Sequence, residues 1–219
     1  DPAHLVPKAY VDNRPGALAV LVATALTSRR GLATGETVLT LGYQTANGRG
    51  AAHWRWLEGG VVTDPVYTKI AATGGYWELV PNTSAFSMMS AGAGLGLGND
   101  ASRILHCKDI APTGCMLYFP ASTYVWNENY LFTMGNAGGI RGDGARSVIR
   151  RTNAYGGVMA NARETMHFQS MSFEYDFLAN FMIGIDFRQV NGGSEGATGP
   201  GARHCKIDDC RFYLTEAAA

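Results

Sequence analysis

The chain is poor in charge and in cysteine, and it has no long hydrophobic run. Charged residues make up 16% of its 219 positions, and 18 Lys plus Arg balance 18 Asp plus Glu. Such neutrality argues against a nucleic-acid binder, which meets phosphate through a net basic surface. The four cysteines (Cys107, Cys115, Cys205 and Cys210) lack metal-ligand spacing. They read as small buried hydrophobes, with a disulfide or a metal as the lesser alternative. The longest apolar stretch, residues 17–26, falls short of the ~20 residues that span a bilayer. It also lacks the basic start and cleavage context of a signal peptide. No cofactor, metal or membrane insertion is therefore expected. The chain opens on Asp1-Pro2 rather than Met, which suggests a piece of a longer protein, cut at both ends.

Glycine, by contrast, is abundant at 28 residues, and aromatics reach 11%. Two C-terminal stretches share one hydrophobic template. In residues 166–173 the apolar positions are Met166, Phe168, Met171 and Phe173; in residues 205–212 they are Cys205, Ile207, Cys210 and Phe212. The offset is 39 residues at all four. Alternation marks a strand with one buried face, and the polar pair in the middle (Gln169-Ser170, Asp208-Asp209) breaks the period where the strand must turn a corner. Strand, bend and strand recurring in register predict coils of a stacked β-structure.

Along the chain, residues 1–35 read as a linker with a neck helix from Asn13 to before Gly31, apolar nearly all round. Residues 36–85 alternate as β-structure, with strands near Val38–Tyr43, His53–Trp56 and Tyr76–Val80 separated by glycine turns. The loop Gly92-x-Gly94-x-Gly96-x-Gly98 has the wrong spacing for a nucleotide fingerprint, and no Lys-Ser/Thr pair follows it. Asn99 or Asp100 predicts an N-cap for a helix over 101–109, anchored by Ile104 and Leu105. Two strands follow, residues 114–120 and 121–126, then the turn Gly142-Asp143-Gly144.

The run from Gly98 to Arg151, with the strand pair Gly114–Tyr124 and the turn Gly142-Asp143-Gly144, resembles the start of the pectate-lyase-like right-handed β-helix. The upstream "LTLGYQTANGRGAAHWRW" is similar to the small β-domain that precedes the β-helix in phage tailspikes. Two departures stand out: Ser122 replaces a usual glycine, and Arg49 breaks a usually acidic loop. The resemblance implies a mainly β fold: a small β-domain (36–85), then a capping helix and the first coils of a right-handed parallel β-helix (86–219). The 39-residue offset exceeds an ordinary coil, and the excess fits a Gly-rich loop at 189–202, with residues 181–187 supplying the third strand.

In function, the resemblance implies part of a bacteriophage tailspike on the virion tail. The parent protein would recognise and depolymerise bacterial surface polysaccharide, either capsule or lipopolysaccharide, as a glycoside hydrolase or a polysaccharide lyase. It would form a homotrimer behind an upstream virion-attachment domain, with this segment mainly connecting, capping and trimerising. A secreted cellular pectate-lyase-like enzyme and a purely structural tail connector are the alternatives.

Glycan hydrolysis needs two carboxylates flanking the bond. Glu174 and Asp176 straddle Tyr175 and point to the same side of a strand, which makes them the candidate catalytic pair. Asp208 and Asp209 sit at a corner and Asp143 in a turn, where small polar residues stabilise the bend. Asp186 alternates with Ile185 and Phe187 and reads as an outward surface residue. His106, His167 and His204 are dispersed, without a triad pattern. Trp54 and Trp56 are candidates to stack on a sugar, with core packing the competing expectation. Arg146, Arg150 and Arg151 are set to meet an acidic glycan, or are ordinary surface arginines.

Overall fold

The structure is a computed structural model that describes residues 22–31, 33–46, 48–62, 67–128, 132–133, 137–151, 158–159, 166–175, 185–186 and 206–214. At 132–133, 158–159, 175, 185–186 and 214 only the backbone is described. Two compact units emerge: Asp1–Pro65 with Lys69–Val80, and Val66–Thr68 with Pro81–Ala219.

The first unit is an antiparallel sheet of β1 (Thr37–Thr40), β2 (Ala52–Glu58), β3 (Lys69–Ala72) and β4 (Gly75–Val80), in the order β1-β2-β4-β3. Alternation in β2 and β4 sends Trp54, Trp56, Trp77 and Leu79 to one face, and all four are buried. A short 3-10 helix, Ala23–Ser28, adds Leu26 to this core. Of the neck helix expected from Asn13 to before Gly31, the described residues show only this 3-10 turn, with residues 29–31 not helical; residues 13–21 lie outside them. The Trp77 indole N–H donates to the Arg29 carbonyl at 2.7 Å, which ties the end of the 3-10 helix to the sheet.

The second unit is a solenoid of parallel strands. Its elements are β5 (Ala85–Ser87), a helix α1 (Ala101–Ile110), β6 (Met116–Phe119), β7 (Ser122–Trp126), β8 (Phe132–Thr133), β9 (Gly139–Gly142), β10 (Ser147–Arg151), β11 (Val158–Met159), β12 (His167–Gln169), β13 (Ser172–Tyr175), β14 (Ile185–Asp186), β15 (Lys206–Asp208) and β16 (Arg211–Leu214). They form three sheets, β5-β6-β9-β12-β15, β7-β10-β13-β16 and β8-β11-β14, with every pairing parallel. Each of the three full coils (β6–β8, β9–β11 and β12–β14) contributes one strand per sheet, so the stack rises ~4.8 Å per coil. β5 pairs with β6, so all of Ala85–Ser87 belongs to this unit.

The repeated template is a true register. Phe168 pairs with Ile207 and Phe173 with Phe212, each 39 residues on. The inner ladder of the first sheet runs Phe86, Leu117, Ile140, Phe168, Ile207, and that of the second runs Tyr124, Ile149, Phe173, Phe212. The members before the last rung are buried, each contributing ~1.5–3 kcal/mol through the apolar area it removes from water. Ser170 and Asp209 turn the corner between the sheets with φ of 53° and 49°. Two successive coils thus use the same left-handed residue at the same place. Of the remaining template residues, Cys205 lies outside the described residues and Cys210 is half-buried. The 189–202 loop also lies outside them; β14 falls within the expected 181–187 strand.

Helix α1 caps the stack much as the sequence predicts, with one change of anchor. Ala101, Ile104 and Cys107 face the core, while Leu105 is half-buried. The i, i+3 stripe 101-104-107 follows one helix face, and Cys107 rather than Leu105 lies on it. Asp100 is the N-cap residue, yet its carboxylate does not cap the helix. Its Oδ2 accepts the Val125 N–H at 2.9 Å, and the Asp100 N–H donates to the Val125 carbonyl at 2.7 Å, so α1 is clamped to the end of β7. Burial raises the Asp100 pKa; the amides of Val125 and Gly94 and the nearby Arg103 charge pull it back. The Gly-rich loop lies beside this carboxylate. Its tight fit shows at Gly94, where φ is +71° and a Cβ would lie 2.5 Å from the Tyr124 ring. Ser122, the departure from glycine, donates its hydroxyl to the Gly94 carbonyl at 2.5 Å. Among the described residues no helix is long and apolar enough to cross a membrane.

Candidate functional site

Alternation along each strand that buries the inner ladders also displays two outward rows per sheet. On the first sheet one row is Met116, Gly139, His167, Lys206 and the other is Tyr118, Arg141, Gln169, Asp208. Residues far apart in sequence become neighbours here only because the coils stack in register.

The Tyr118 hydroxyl donates to Asp143 Oδ1 at 2.8 Å, and the Ala121 N–H donates to Asp143 Oδ2 at 2.9 Å. Ser147 fixes the turn beneath: its hydroxyl donates to the Phe119 carbonyl and accepts from the Asp143 N–H, both at 2.7 Å. Asp143 is thus a turn former with a second task, holding the Tyr118 ring. Partial burial and the Asp143 carboxylate raise the Tyr118 pKa, so this phenol stays protonated at neutral pH and serves as a donor. At the other end of the face, Lys206 Nζ lies 3.0 Å from Asp208 Oδ2, and His167 Nε2 lies 4.0 Å from the same oxygen. The lysine contact and, to a lesser degree, His167 hold the Asp208 carboxyl below its usual value. Arg141, between these two pairs, is exposed.

On the second sheet the outward row Val125, Arg150, Glu174, Tyr213 carries the first sequence candidate. Arg150 Nε and Nη2 donate to Glu174 Oε2 at 3.0 and 2.8 Å. A partly buried carboxylate held this way by a guanidinium is fixed in place, which suits a cross-strand ion pair. Hydrolysis would need a second carboxylate facing it, and neither Val125 nor Tyr213 in this row is one. Asp176, the proposed partner, lies outside the described residues.

The other sequence candidates separate cleanly. Trp54 and Trp56 are 0% exposed. Their even spacing on β2 points both inward, so neither ring face is open to a sugar, and the stacking role gives way to core packing. Asp208 and Asp209 do lie at the corner. The backbone of Asp186 is in β14, and His204 lies outside the described residues. His106 packs beside the Tyr67 ring, with centroids 5.7 Å apart, on α1. Arg146 is exposed, Arg150 pairs with Glu174, and Arg151 is buried at an inward position. Among the described residues no three His, Cys, Asp or Glu side chains gather as a metal site. Sequence reasoning passed over Tyr118 and Arg141 as site residues. Their alternation with the buried Leu117, Phe119 and Ile140 was the available signal.

No protein-family model and no curated protein matches this chain. Solved structures do. The Acinetobacter baumannii phage AM24 tailspike protein aligns at 13% identity and a TM-score of 0.58, over 90% of this chain and 33% of its own. The tailspike protein gp49 of Acinetobacter baumannii bacteriophage Fri1, a capsular polysaccharide depolymerase, aligns at 14% identity and 0.52, over 88% and 37%. WceF of Pantoea stewartii, a glycan biofilm modifying enzyme with a bacteriophage tailspike-like parallel β-helix fold, aligns at 14% and 0.52, over 88% and 28%. The chain thus has the parallel β-helix fold of tailspike proteins, and it spans about a third of the length of these structures.

Proposed function

We propose that this chain is the entrance segment of a tailspike-type polysaccharide depolymerase of the phage virion tail, acting on capsule or lipopolysaccharide. Its own work is to connect, to cap and to help trimerise the β-helix behind a virion-attachment domain. One observation carries this reading: a helix-capped stack of parallel coils, preceded by a small β-domain, superposes on tailspike structures along nearly its whole length. A solenoid needs such a cap, because its first coil otherwise exposes an open core and unpaired strand edges. At the far end the inner ladders finish on Ile207 and Phe212, 45% and 49% exposed. A coil stacked on that rung would bury both and extend the stack.

The described carboxylates favour a supporting role for this segment. Glu174, Asp143 and Asp208 are each engaged by a neighbour on the stack. The cleaving pair of the parent protein is therefore assigned to other coils, as a hydrolase pair or a lyase base. The likeness to a Pantoea stewartii glycan-modifying enzyme favours a second reading, in which the parent is a cellular enzyme of the same fold.

The test is incubation of the chain with capsular and lipopolysaccharide glycans, followed by chromatography of released oligosaccharides and light scattering of the protein. Glycan binding with little cleavage, and a trimer, are the expected results. Efficient release of oligosaccharides would overturn the supporting role. Ultraviolet absorbance of an unsaturated uronate would mark a lyase, and new reducing ends without it a hydrolase. A monomer that binds no glycan would overturn the reading.

A further inference from the structure

We infer that Asp143-Gly144 is a latent site of spontaneous backbone modification, the formation of isoaspartate, and that the Tyr118 hydroxyl is the lock that keeps it shut. Asp143-Gly144 is the one Asp-Gly step in the chain. Such a step rearranges because glycine carries no side chain to shield its nitrogen. The Gly144 nitrogen attacks Asp143 Cγ and a new C–N bond forms. One carboxyl oxygen leaves as water, carrying off the amide proton and one proton from the carboxyl group or the solvent. The product is a five-membered succinimide. Water then adds at the main-chain carbonyl carbon of Asp143 and breaks its bond to the Gly144 nitrogen, so the chain now runs through the side chain as isoaspartate. Addition at Cγ instead restores aspartate. No oxidant, reductant or cofactor enters.

Steric crowding does not guard this step. Asp143 is exposed, and a Cβ built on Gly144 would meet nothing within 4 Å. Hydrogen bonds guard it instead, at each reacting group. Asp143 Oδ1 accepts from the Tyr118 hydroxyl at 2.8 Å, and Oδ2 accepts from the Ala121 N–H at 2.9 Å. The attacking nitrogen is committed elsewhere, because the Gly144 N–H donates to the Ser170 carbonyl at 3.0 Å. Turning Cγ onto that nitrogen requires these three bonds to break together. Of the three, the Tyr118 bond is the one whose donor is a side chain, so a substitution removes it and leaves the backbone donors in place.

Opening the lock changes the length of a coil. Isoaspartate adds one carbon to the main chain between β9 and β10, at the corner where Gly144 meets Ser170, the left-handed corner residue of the next coil. Each coil of a solenoid is held only by its neighbours. The longer corner therefore draws Gly144 away from Ser170 and works against the pairing of β10 with β13.

The test is ageing of the full chain at physiological temperature and neutral pH, with isoaspartate at position 143 read by fragmentation mass spectrometry of its peptide. Tyr118→Phe keeps the ring and loses the hydroxyl. Leu117→Val, on the buried side of the same strand, loosens β6 and leaves the hydroxyl in place. The inference requires the folded parent to form isoaspartate far more slowly than the same chain held unfolded in urea. It requires Y118F to form it about fivefold faster than the folded parent, or more, which is the worth of one hydrogen bond, while L117V stays near the parent. Equal rates in Y118F and the parent would overturn the lock. Acceleration in L117V as large as in Y118F would trace the effect to general loosening and would overturn it too. A folded parent that modifies as fast as the unfolded chain would overturn the guarding of the step altogether.

Discussion

Phe168→Ala is the sharpest probe of the coil stack. Phe168 is 0% exposed and sits in the first inner ladder between Ile140 and Ile207. Truncation removes its packing and leaves a void that the flanking strands cannot close without breaking their parallel pairing, so the expected loss is ~3–5 kcal/mol. Domains of this kind are stable by only ~5–15 kcal/mol, so the loss is a large share of the total. In a solenoid each coil contacts only its neighbours. The damage should therefore concentrate on the strands next to β12 and leave the four-stranded sheet of the first unit unchanged. Hydrogen exchange read by mass spectrometry separates these regions: peptides over 139–151 and 166–175 should lose protection by several orders of magnitude, and peptides over 52–58 and 75–80 should keep it. The adjacent Gln169→Ala, on the outward face, should change stability by less than ~0.5 kcal/mol. If F168A were as mild as Q169A, or if it loosened the first unit equally, the inward ladder would not exist as described.

Three further outcomes follow from single contacts. Asp100 has a pKa raised by burial, so the folded state holds its proton more tightly than the unfolded state does. Its stabilising effect is complete below the unfolded value of ~3.9 and fades as pH rises through the raised folded value. Asp100→Asn should therefore gain stability relative to the parent as pH goes from 4 to 7 in urea titrations; the opposite trend would reverse the sign of the burial argument. Gly139→Ala places a Cβ 1.9 Å from the His167 carbonyl of the adjacent strand, so a loss above ~3 kcal/mol or failure to fold is expected, and a normal thermal melt would refute that close approach of the two strands. Glu174→Gln breaks a half-exposed pair with Arg150 and should cost no more than ~1 kcal/mol by denaturant unfolding; a far larger cost would mean that the pair is structural.

The coils were legible because burial writes a period into the sequence. Met166, Phe168, Met171 and Phe173 repeat as Cys205, Ile207, Cys210 and Phe212, and the structure pairs Phe168 with Ile207 and Phe173 with Phe212. The corner was legible too, from the polar pair that breaks alternation. Contacts set by coil register were not legible. Arg150 meets Glu174, and Tyr118 meets Asp143, only because each coil has a particular length. That length depends on loops whose residues carry no periodic signal. The α1 anchor was misassigned for a local reason: the i, i+3 stripe favours Cys107, while hydrophobicity alone favours Leu105. Trp54 and Trp56 share a face by spacing, but spacing does not say whether that face is open or covered, and here it is covered.

A register trap tests the central claim, that the chain folds as in-register parallel coils. Gln169 and Asp208 occupy one register position on adjacent strands and both face outward. Cysteines placed there lie within the ~4.4–6.8 Å Cα separation that a disulfide bridges. With Cys205 and Cys210 replaced by alanine, mild oxidation of Q169C/D208C should give one disulfide, located by peptide mass spectrometry between positions 169 and 208, with thermal stability retained. The Q169C/K206C variant, two residues out of register on the same face, should cross-link poorly. Equal cross-linking of both variants, or preference for the shifted pair, would contradict the stacked coils.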